Sequence, residues 1–384
     1  MRNQEQLEKE LAIVTYIEKH GLDKAIVDFE LKCKEYDNKV LLKYNQIDSD
    51  MSKEEVQDCR GLILEKDTWK VMSLAFRKFF NSAETQAAKV NYDTALIWEK
   101  CDGSLIQVYW DWNKKEWFAG TSGMAEAEGE VNDKPNTSFA KLFWDTMKTY
   151  EWFDIDKFVK GHTYAFELMT PYNIVVNPHP KSTVALLGVR NLETLEEYGN
   201  TDLVRVAREL GFGLPKRYEI NALNADDLIS TFEGMPYTDE GYVVCDANFN
   251  RVKIKNPAYL AAHHLKSKTG AHHIMTIIKT NEIEEYGATF PERREEMDSI
   301  KVKYDKLILD LEAVWKVLKR YLPKDDSKEA QKKYAMKLFE VLRSDANVKE
   351  FQGLFFALKD EKVDNVKDYI FNYDDKRLYE RFTK

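Results

Sequence analysis

"WEKCDGSLIQVYW", residues Trp98 to Trp110, sets a lysine at the end of an apolar run, follows it with Asp102-Gly103 and resumes strand-forming residues from Leu105. An Asp-Gly step between two such runs signals a reversal of the chain, because glycine and aspartate enter turn conformations at low cost. The stretch reads as two β-strands with Lys100 held at the turn between them.

The same texture extends outward. From Lys39 to about Asn256 the chain runs through short β-rich segments bounded by turns, among them "VLLKYNQI", "GLILEKD", "VMSLAF", "EWFAGT", "TYAFELM", "STVALLGVR", "GYVVCD" and "RVKIK". A helix is interposed at "TDLVRVARELGF", ending near Gly211 and Gly213. This predicts an α+β domain of mainly antiparallel character. Upstream, Leu7, Leu11, Val14 and Ile17, then Ala25, Ile26, Phe29 and Cys33, carry helical spacing to about residue 36. Residues 1–38 are thus expected to form a helical lead-in, and 39–260 the main domain. Beyond Ala261 the period turns helical: Ile300, Tyr304, Leu307, Leu311, Val314, Leu318 and Leu322 recur at three or four residues and stop at Pro323. Further amphipathic segments at about 328–342, 348–359 and 366–373 make 261–384 an all-helical C-terminal domain.

Composition narrows the class. The 384 residues allow two or three domains, 43% hydrophobic and 32% charged residues fit a soluble protein, and a formal net charge of −9 excludes a general electrostatic coating of nucleic acid. Any polyanion must be met by a local cluster of Lys and Arg. "MRNQEQLEKE" is too polar for a signal peptide and no apolar run has the roughly 20 residues of a membrane span. Cys33, Cys59, Cys101 and Cys245 are scattered, so free thiols in a reducing cytoplasm are expected, not zinc or disulfides.

Charged residues are inserted into apolar strands in a definite order: Arg60 in "DCRGLILE", Arg77 and Lys78 in "FRKFFN", Lys100 and Asp102 in "KCDG", Glu167 in "FELMTPYN", Glu240 in "DEGYVV", and Lys253 and Lys255 on one face of "RVKIK". Burying charge is expensive unless it is paired or binds something, so this set points to a pocket for a polyanion and a metal. The chemistry it suits is nucleotidyl transfer through a covalent lysine. An amine is nucleophilic only when neutral, and neighbouring cations such as Lys253 and Lys255 favour that state while contacting an α-phosphate. Glu167 and Glu240 suit Mg2+, which takes one or two carboxylates plus phosphate oxygens. Arg60 and Lys78 suit a triphosphate and its leaving group. Phe79 or Phe80 packs on a nucleobase or belongs to the core.

The order K-x-D-G, F-E-L, E-G-Y and K-I-K resembles motifs I, III, IV and V of the covalent nucleotidyltransferase superfamily of polynucleotide ligases and capping enzymes. With "CRG", "KFFN", "FELMTPYN" and the helical tail, the chain is most similar to the T-even bacteriophage RNA ligase 1 family, from about Asp58 to Lys255. The resemblance implies an antiparallel-sheet, ATP-grasp-like ligase domain followed by the helical one. It implies that Lys100 takes AMP from ATP, that AMP passes to an RNA 5'-phosphate, and that a 3'-hydroxyl then displaces it. Mg2+ or Mn2+ is the expected metal, held by Glu167 and Glu240. Arg60, Lys78, Phe80, Glu99, Asp102, Gly103, Gly241, Lys253 and Lys255 are the expected nucleotide contacts, with Glu99 a reader of the adenine amino group or an exposed strand carboxylate. Single-stranded ends or a broken tRNA anticodon loop would be the RNA. A monomer in the cytoplasm, the host's if phage-encoded, with no membrane partner, completes the expectation.

Two positions depart from the family pattern. "AGTSGM" (119–124) lacks the basic residue common after motif I, and Ile174 stands where an arginine is common. Elsewhere, "HHLKSKTGAHH", with His263, His264, Lys266, Lys268, His272 and His273, reads as a solvated connector or a phosphate contact sooner than a zinc site. Tyr109, Trp110, Trp112 and Trp117 read as strand core or as a stacking platform for RNA. A DNA ligase or a GTP-dependent capping enzyme would place alternating strands after residue 261, where helical spacing stands instead. A noncatalytic RNA-end binder would have no need of the nucleophile.

Overall fold

The computed structural model describes residues 11–131, 134–173, 176–177, 179–267, 273–289, 293–323, 325, 327–343 and 348–383. The chain divides into two compact units, one ending at Lys266 and the other beginning at Ser267.

The first unit carries three main sheets. β1 (Leu31–Glu35), β2 (Lys39–Tyr44), β3 (Arg60–Glu65) and β4 (Val71–Ser73) form an antiparallel sheet in that order. Helices Ala12–His20, Leu22–Asp28 and Glu54–Asp58 cover it, burying Ile13, Val14, Ile17, Val56, Leu42, Leu62 and Leu64 in one core. The helical reading to residue 36 is corrected here. Glu30 takes φ +50, which ends the helical course, and "LKCKE" then pairs residue for residue with β2. Cys33 fits both periods, so the sequence pattern alone did not separate them.

β7 (Ser104–Asp111), β8 (Glu116–Gly120), β11 (His162–Met169) and β12 (Thr183–Asn191) form a second sheet in the order β12-β11-β7-β8. Its rear face packs Ile106, Val108, Tyr164, Phe166 and Leu186 against helices Phe139–Met147 and Asn200–Leu210. The latter helix ends at Gly211, as the sequence predicts, and the glycine closes it in the left-handed conformation, φ +77. A small ribbon, β9 (Glu130–Val131) with β10 (Lys134–Ser138), lies outside these sheets.

The third sheet comprises β5 (Phe80–Asn81), β6 (Leu96–Glu99), β13 (Arg217–Tyr218), β14 (Gly241–Cys245) and β15 (Arg251–Lys255), in the order β13-β6-β14-β15-β5. All its pairs are antiparallel except β15 with β5. Ile97, Tyr242, Val244, Val252 and Ile254 fill its rear core with Leu228 from helix Ala225–Ser230.

The second unit is helical throughout its described residues. Helix Arg294–Leu318 lays Met297, Ile300, Tyr304, Leu307, Leu311 and Leu318 into a core shared with Leu338, Leu354, Ile370 and Leu378 from later helices. Val314 and Trp315 pack at its margin, while Leu322 is exposed. Among the described residues no helix is long and apolar enough to cross a membrane. All four cysteines are free thiols. Tyr109 is core, Trp110 and Trp117 meet edge to face at 5.5 Å, and Trp112 is exposed.

Candidate active site

The Lys100 N–H donates to the Gly241 carbonyl at 2.8 Å, which fixes the lysine as the continuation of the β6–β14 ladder. Register then aligns whole rows across the third sheet. Trp98, Val243 and Lys253 stand opposite one another, and so do Leu96, Cys245 and Arg251. Because Ile97, Val244 and Val252 point to the rear core, these rows face forward. The next row is Lys100, Gly241 and Lys255. Strands are about 4.8 Å apart, so the outer two backbones stand about 10 Å apart with a glycine between them. Gly241 itself puts no side chain into that gap. Gly241 has φ +132, and a Cβ there would lie 2.2 Å from the Ile254 carbonyl oxygen.

Glu240 precedes this glycine, and its Oε1 forms an ion pair with Lys100 Nζ, the two side chains being 7% and 22% exposed. Glu167 comes from β11 on the facing sheet. Burial pushes its carboxyl up to about 8, with Glu240 and Asp102 adding to the rise and Lys100 and Arg60 opposing it. A carboxylate destabilised by burial and two like charges gains from a cation. Two such carboxylates do not make an all-protein cage, and among the described residues no three His, Cys, Asp or Glu side chains cluster as one. The pair does suit Mg2+ when phosphate oxygens supply further ligands.

The turn after Lys100 is braced from within. Asp102 is buried; its Oδ2 accepts from the Val176 and Asn177 N–H groups at 3.1 and 2.6 Å, and its Oδ1 from the Tyr259 hydroxyl at 3.0 Å. Both oxygens of this expected nucleotide contact are therefore taken by protein donors. Gly103 is needed for close approach: a Cβ would lie 2.6 Å from the Leu168 carbonyl oxygen and 3.0 Å from Glu167 Cγ. Glu99 is exposed, and its Oε2 accepts from the Lys216 N–H at 3.2 Å.

Arg60 opens β3, where burial lowers its pKa while Tyr44 and Glu167 favour its charge. Gly61 beside it has φ +78 and leaves no room for a Cβ, which would fall 2.6 Å from Ser122 Cα. In the "AGTSGM" loop, the Thr121 hydroxyl accepts from the Gly123 N–H at 3.2 Å. Phe80 is buried on β5, whereas Phe79 is half-buried with Arg60, Arg251 and Lys253 at 4.9, 5.6 and 5.7 Å from its ring centroid. Lys78 Nζ lies 5.0 Å from the Tyr44 ring and 5.3 Å from that of Phe80. Ile174 lies outside the described residues, as do Lys268, His272 and the side chains of His263, His264 and Lys266. His273 packs edge-on against Tyr286 at 5.8 Å.

One group had not been expected. Glu197 bridges Arg190 and Arg251, accepting from them at 2.7 and 2.8 Å, and although burial alone would raise its pKa, the two guanidinium groups hold it below the ordinary value. Arg251 shares its period-two face with Lys253 and Lys255, which was the signal available in "RVKIK". A largely apolar cavity of about 410 Å3 opens beside this bridge, lined by Trp98, Glu99, Leu187, Val243 and Phe79 among others. A second cavity, of about 580 Å3, shares Phe79, Glu197 and Arg251 with the first and takes in Arg77, Lys78 and Phe80.

An RNA ligase family model matches residues 58–259, more than half of the chain and the whole of this constellation from Arg60 to Lys255. The chain belongs to the T4 RNA ligase 1 family. It is 25% identical to an RNA ligase of Rhodothermus phage RM378 over 73% of this chain and 78% of the phage protein. A protein of Autographa californica nuclear polyhedrosis virus, named as a bifunctional polynucleotide kinase/RNA ligase, is 28% identical over 68% of this chain but only 39% of its own length. A solved archaeal ATP-dependent RNA ligase is 12% identical, with a TM-score of 0.45 over 89% of this chain and 81% of that one. The protein is thus an RNA ligase, an enzyme with an α+β domain and a helical C-terminal region.

Proposed function

We propose that this RNA ligase joins RNA 5'-phosphate and 3'-hydroxyl ends with ATP, through a lysyl-AMP on Lys100 and an RNA adenylate, in the cytoplasm and as a monomer. The observation that carries the reading is the row Lys100, Gly241, Lys255, with Glu240 in contact with the nucleophile and Glu167 opposite. Residues 39–260 would be the adenylyltransferase domain and 261–384 the helical one.

In the first step Lys100 Nζ attacks the α-phosphorus of ATP. A P–N bond forms, the bond from the α-phosphorus to the bridging oxygen breaks, and pyrophosphate leaves. Glu240 Oε1, already paired with Nζ, is the acceptor at hand for the lysine proton. Lys255 from across the glycine gap and Lys253 from the neighbouring row neutralise charge on the α-phosphate, and Arg60 and Lys78 do so for pyrophosphate. Glu167 and Glu240 would hold Mg2+ or Mn2+, which supplies charge neutralisation at the phosphates. The purine enters the apolar cavity beside Trp98 and Val243, with Glu99 at its rim. Asp102 and Gly103 act by holding the turn. In the second step an RNA 5'-phosphate oxygen attacks the same phosphorus and Lys100 departs; in the third a 3'-hydroxyl attacks the RNA 5'-phosphorus and AMP departs. Single-stranded ends, a cleaved tRNA anticodon loop included, are the proposed substrates.

The test is incubation of the full chain, freed of prebound AMP, with α-labelled ATP or GTP and Mg2+, followed by denaturing separation and peptide mapping. Label from ATP on the Lys100 peptide, lost in Lys100→Ala, is the expected result. Label from GTP alone points to capping chemistry. A folded protein that takes no label from either would overturn the covalent reading.

A further inference from the structure

The hairpin joining β14 to β15 carries an oddity that the reaction above does not use. Phe249 takes φ +62. A bulky aromatic in the left-handed region is an outlier, whereas asparagine enters it readily, and Asn248 and Asn250 stand on either side. The conformation is held firmly: Asp246 accepts from the N–H groups of Asn91, Asn248 and Asn250 at 3.0, 2.9 and 3.0 Å and from Asn250 Nδ2 at 2.9 Å. Its carbonyl also accepts from the Phe249 N–H at 3.0 Å. The outcome is a ring that remains 38% exposed instead of joining a core. Such conformations persist only where the surrounding structure over-determines them, and they cluster at functional sites.

The surroundings of the ring say what the function is here. Phe249 lines both cavities, sharing that wall with Phe79, Glu197 and Arg251. The larger cavity presents four cations, Arg77, Lys78, Arg190 and Arg251, against the lining carboxylates of Glu196 and Glu197. Glu197 is engaged by Arg190 and Arg251, and Asp58 Oδ1 lies 2.6 Å from Arg77 Nε. Lys78 has no carboxylate within ion-pair distance among the described residues and meets only the rings of Tyr44 and Phe80. An excess of positive charge under an exposed ring is the combination that receives a phosphate together with its base: stacking on aromatic side chains serves any base, and the cations track the backbone.

We propose that the cavity under Phe249 seats the 5'-terminal nucleotide of the RNA donor strand, its base stacked on the Phe249 ring and its 5'-phosphate directed to Lys78 and Arg77. This rests on the ligase reading above and names the place of its second substrate. Pyrophosphate leaves before RNA reacts, so Lys78 serves the two anions in turn.

The experiment measures equilibrium binding of short fluorescent single-stranded RNAs to the full chain without ATP, by anisotropy. Three oligonucleotides are compared: 5'-phosphorylated, 5'-hydroxyl, and 5'-phosphorylated with an abasic first nucleotide. Phe249→Asn suits the left-handed backbone, so it folds; Phe249→Trp retains a stacking face. Wild type is expected to bind the intact phosphorylated RNA tightest and Phe249→Asn to bind it about 5- to 150-fold more weakly, the range for losing one stacked base. The abasic RNA should bind both proteins alike, and Phe249→Trp should restore the difference. Equal binding of the intact RNA by wild type and Phe249→Asn, or a loss as large with the abasic RNA, overturns the proposal. These readouts need no chemistry, so a wild-type chain that takes no label from ATP refutes the covalent reading and leaves this result legible on its own.

Discussion

Replacing Asp102 by alanine removes the acceptor of three donors at once, the Val176 and Asn177 N–H groups at 3.1 and 2.6 Å and the Tyr259 hydroxyl at 3.0 Å. Val176 and Tyr259 are 7% and 2% exposed, which limits rescue by water. A hydrogen bond to a charged group contributes about 1.5–3 kcal/mol, and an abandoned buried donor costs a further amount of similar size. Partial relaxation of the 176–177 loop recovers some of this, so the expected loss is roughly 4 kcal/mol, a large part of the 5–15 kcal/mol that usually stabilises a domain. Urea denaturation of wild type and Asp102→Ala measures it, and amide exchange at Val176 and Asn177 should accelerate in the variant. Asparagine at this position is a poor rescue, because its NH2 group would face donors. Suppose instead that Asp102→Ala matched wild type in stability and exchange yet failed to label with AMP. Asp102 would then act on the nucleotide, and its role as a brace would be wrong.

Gly103→Ala should cost about 1–3 kcal/mol by overpacking and slow nucleotidyl transfer by on the order of a hundredfold, since the new methyl meets the Leu168 carbonyl oxygen and Glu167 Cγ. Wild-type rate and stability in that variant would mean that the turn yields freely. A pH effect is expected at Asp58, whose carboxyl burial pushes up to about 6 from an ordinary 3.8, against the pull of Arg77 and the Ile13 N–H. A carboxyl raised on folding contributes stability that is full below its unfolded pKa and disappears as pH climbs through the folded value. Wild type should therefore lose stability relative to Asp58→Asn between about pH 4 and 6, and parallel stability curves for the two proteins would refute the assignment.

Much of this architecture was legible in the sequence because period-two alternation is hard to disguise. "RVKIK" sets its lysines on one face and Val252 and Ile254 on the other, and the ladder through β14 to β6 follows that division. The sequence marked Gly103 as part of a turn and said nothing of close approach; that Gly61, Gly103 and Gly241 all stand where a Cβ would meet neighbouring backbone emerges only from the fold. Illegible were relations between distant segments. Nothing local in Asp102 says that Val176, Asn177 and Tyr259 converge on it, and nothing in "GVRNLETLEE" says that Glu197 meets Arg251. The strand at Leu31–Glu35 was hidden for a different reason, since Cys33 satisfies the helical spacing of Ala25 and Phe29 as well as the alternation of a strand.

The row of Lys100, Gly241 and Lys255 depends on register alone, and this sets what kinds of change the gene can absorb. Residues Asp246 to Asn250 join the two strands that bring Gly241, Arg251, Lys253 and Lys255 to the front face. Losing one residue there would shift β15 by a single step and turn Val252 and Ile254 outward while burying Arg251, Lys253 and Lys255. Substitutions around the hairpin are then graded in their effects, whereas a change of length is all or nothing. Natural variants of this segment should differ in letters and keep their count.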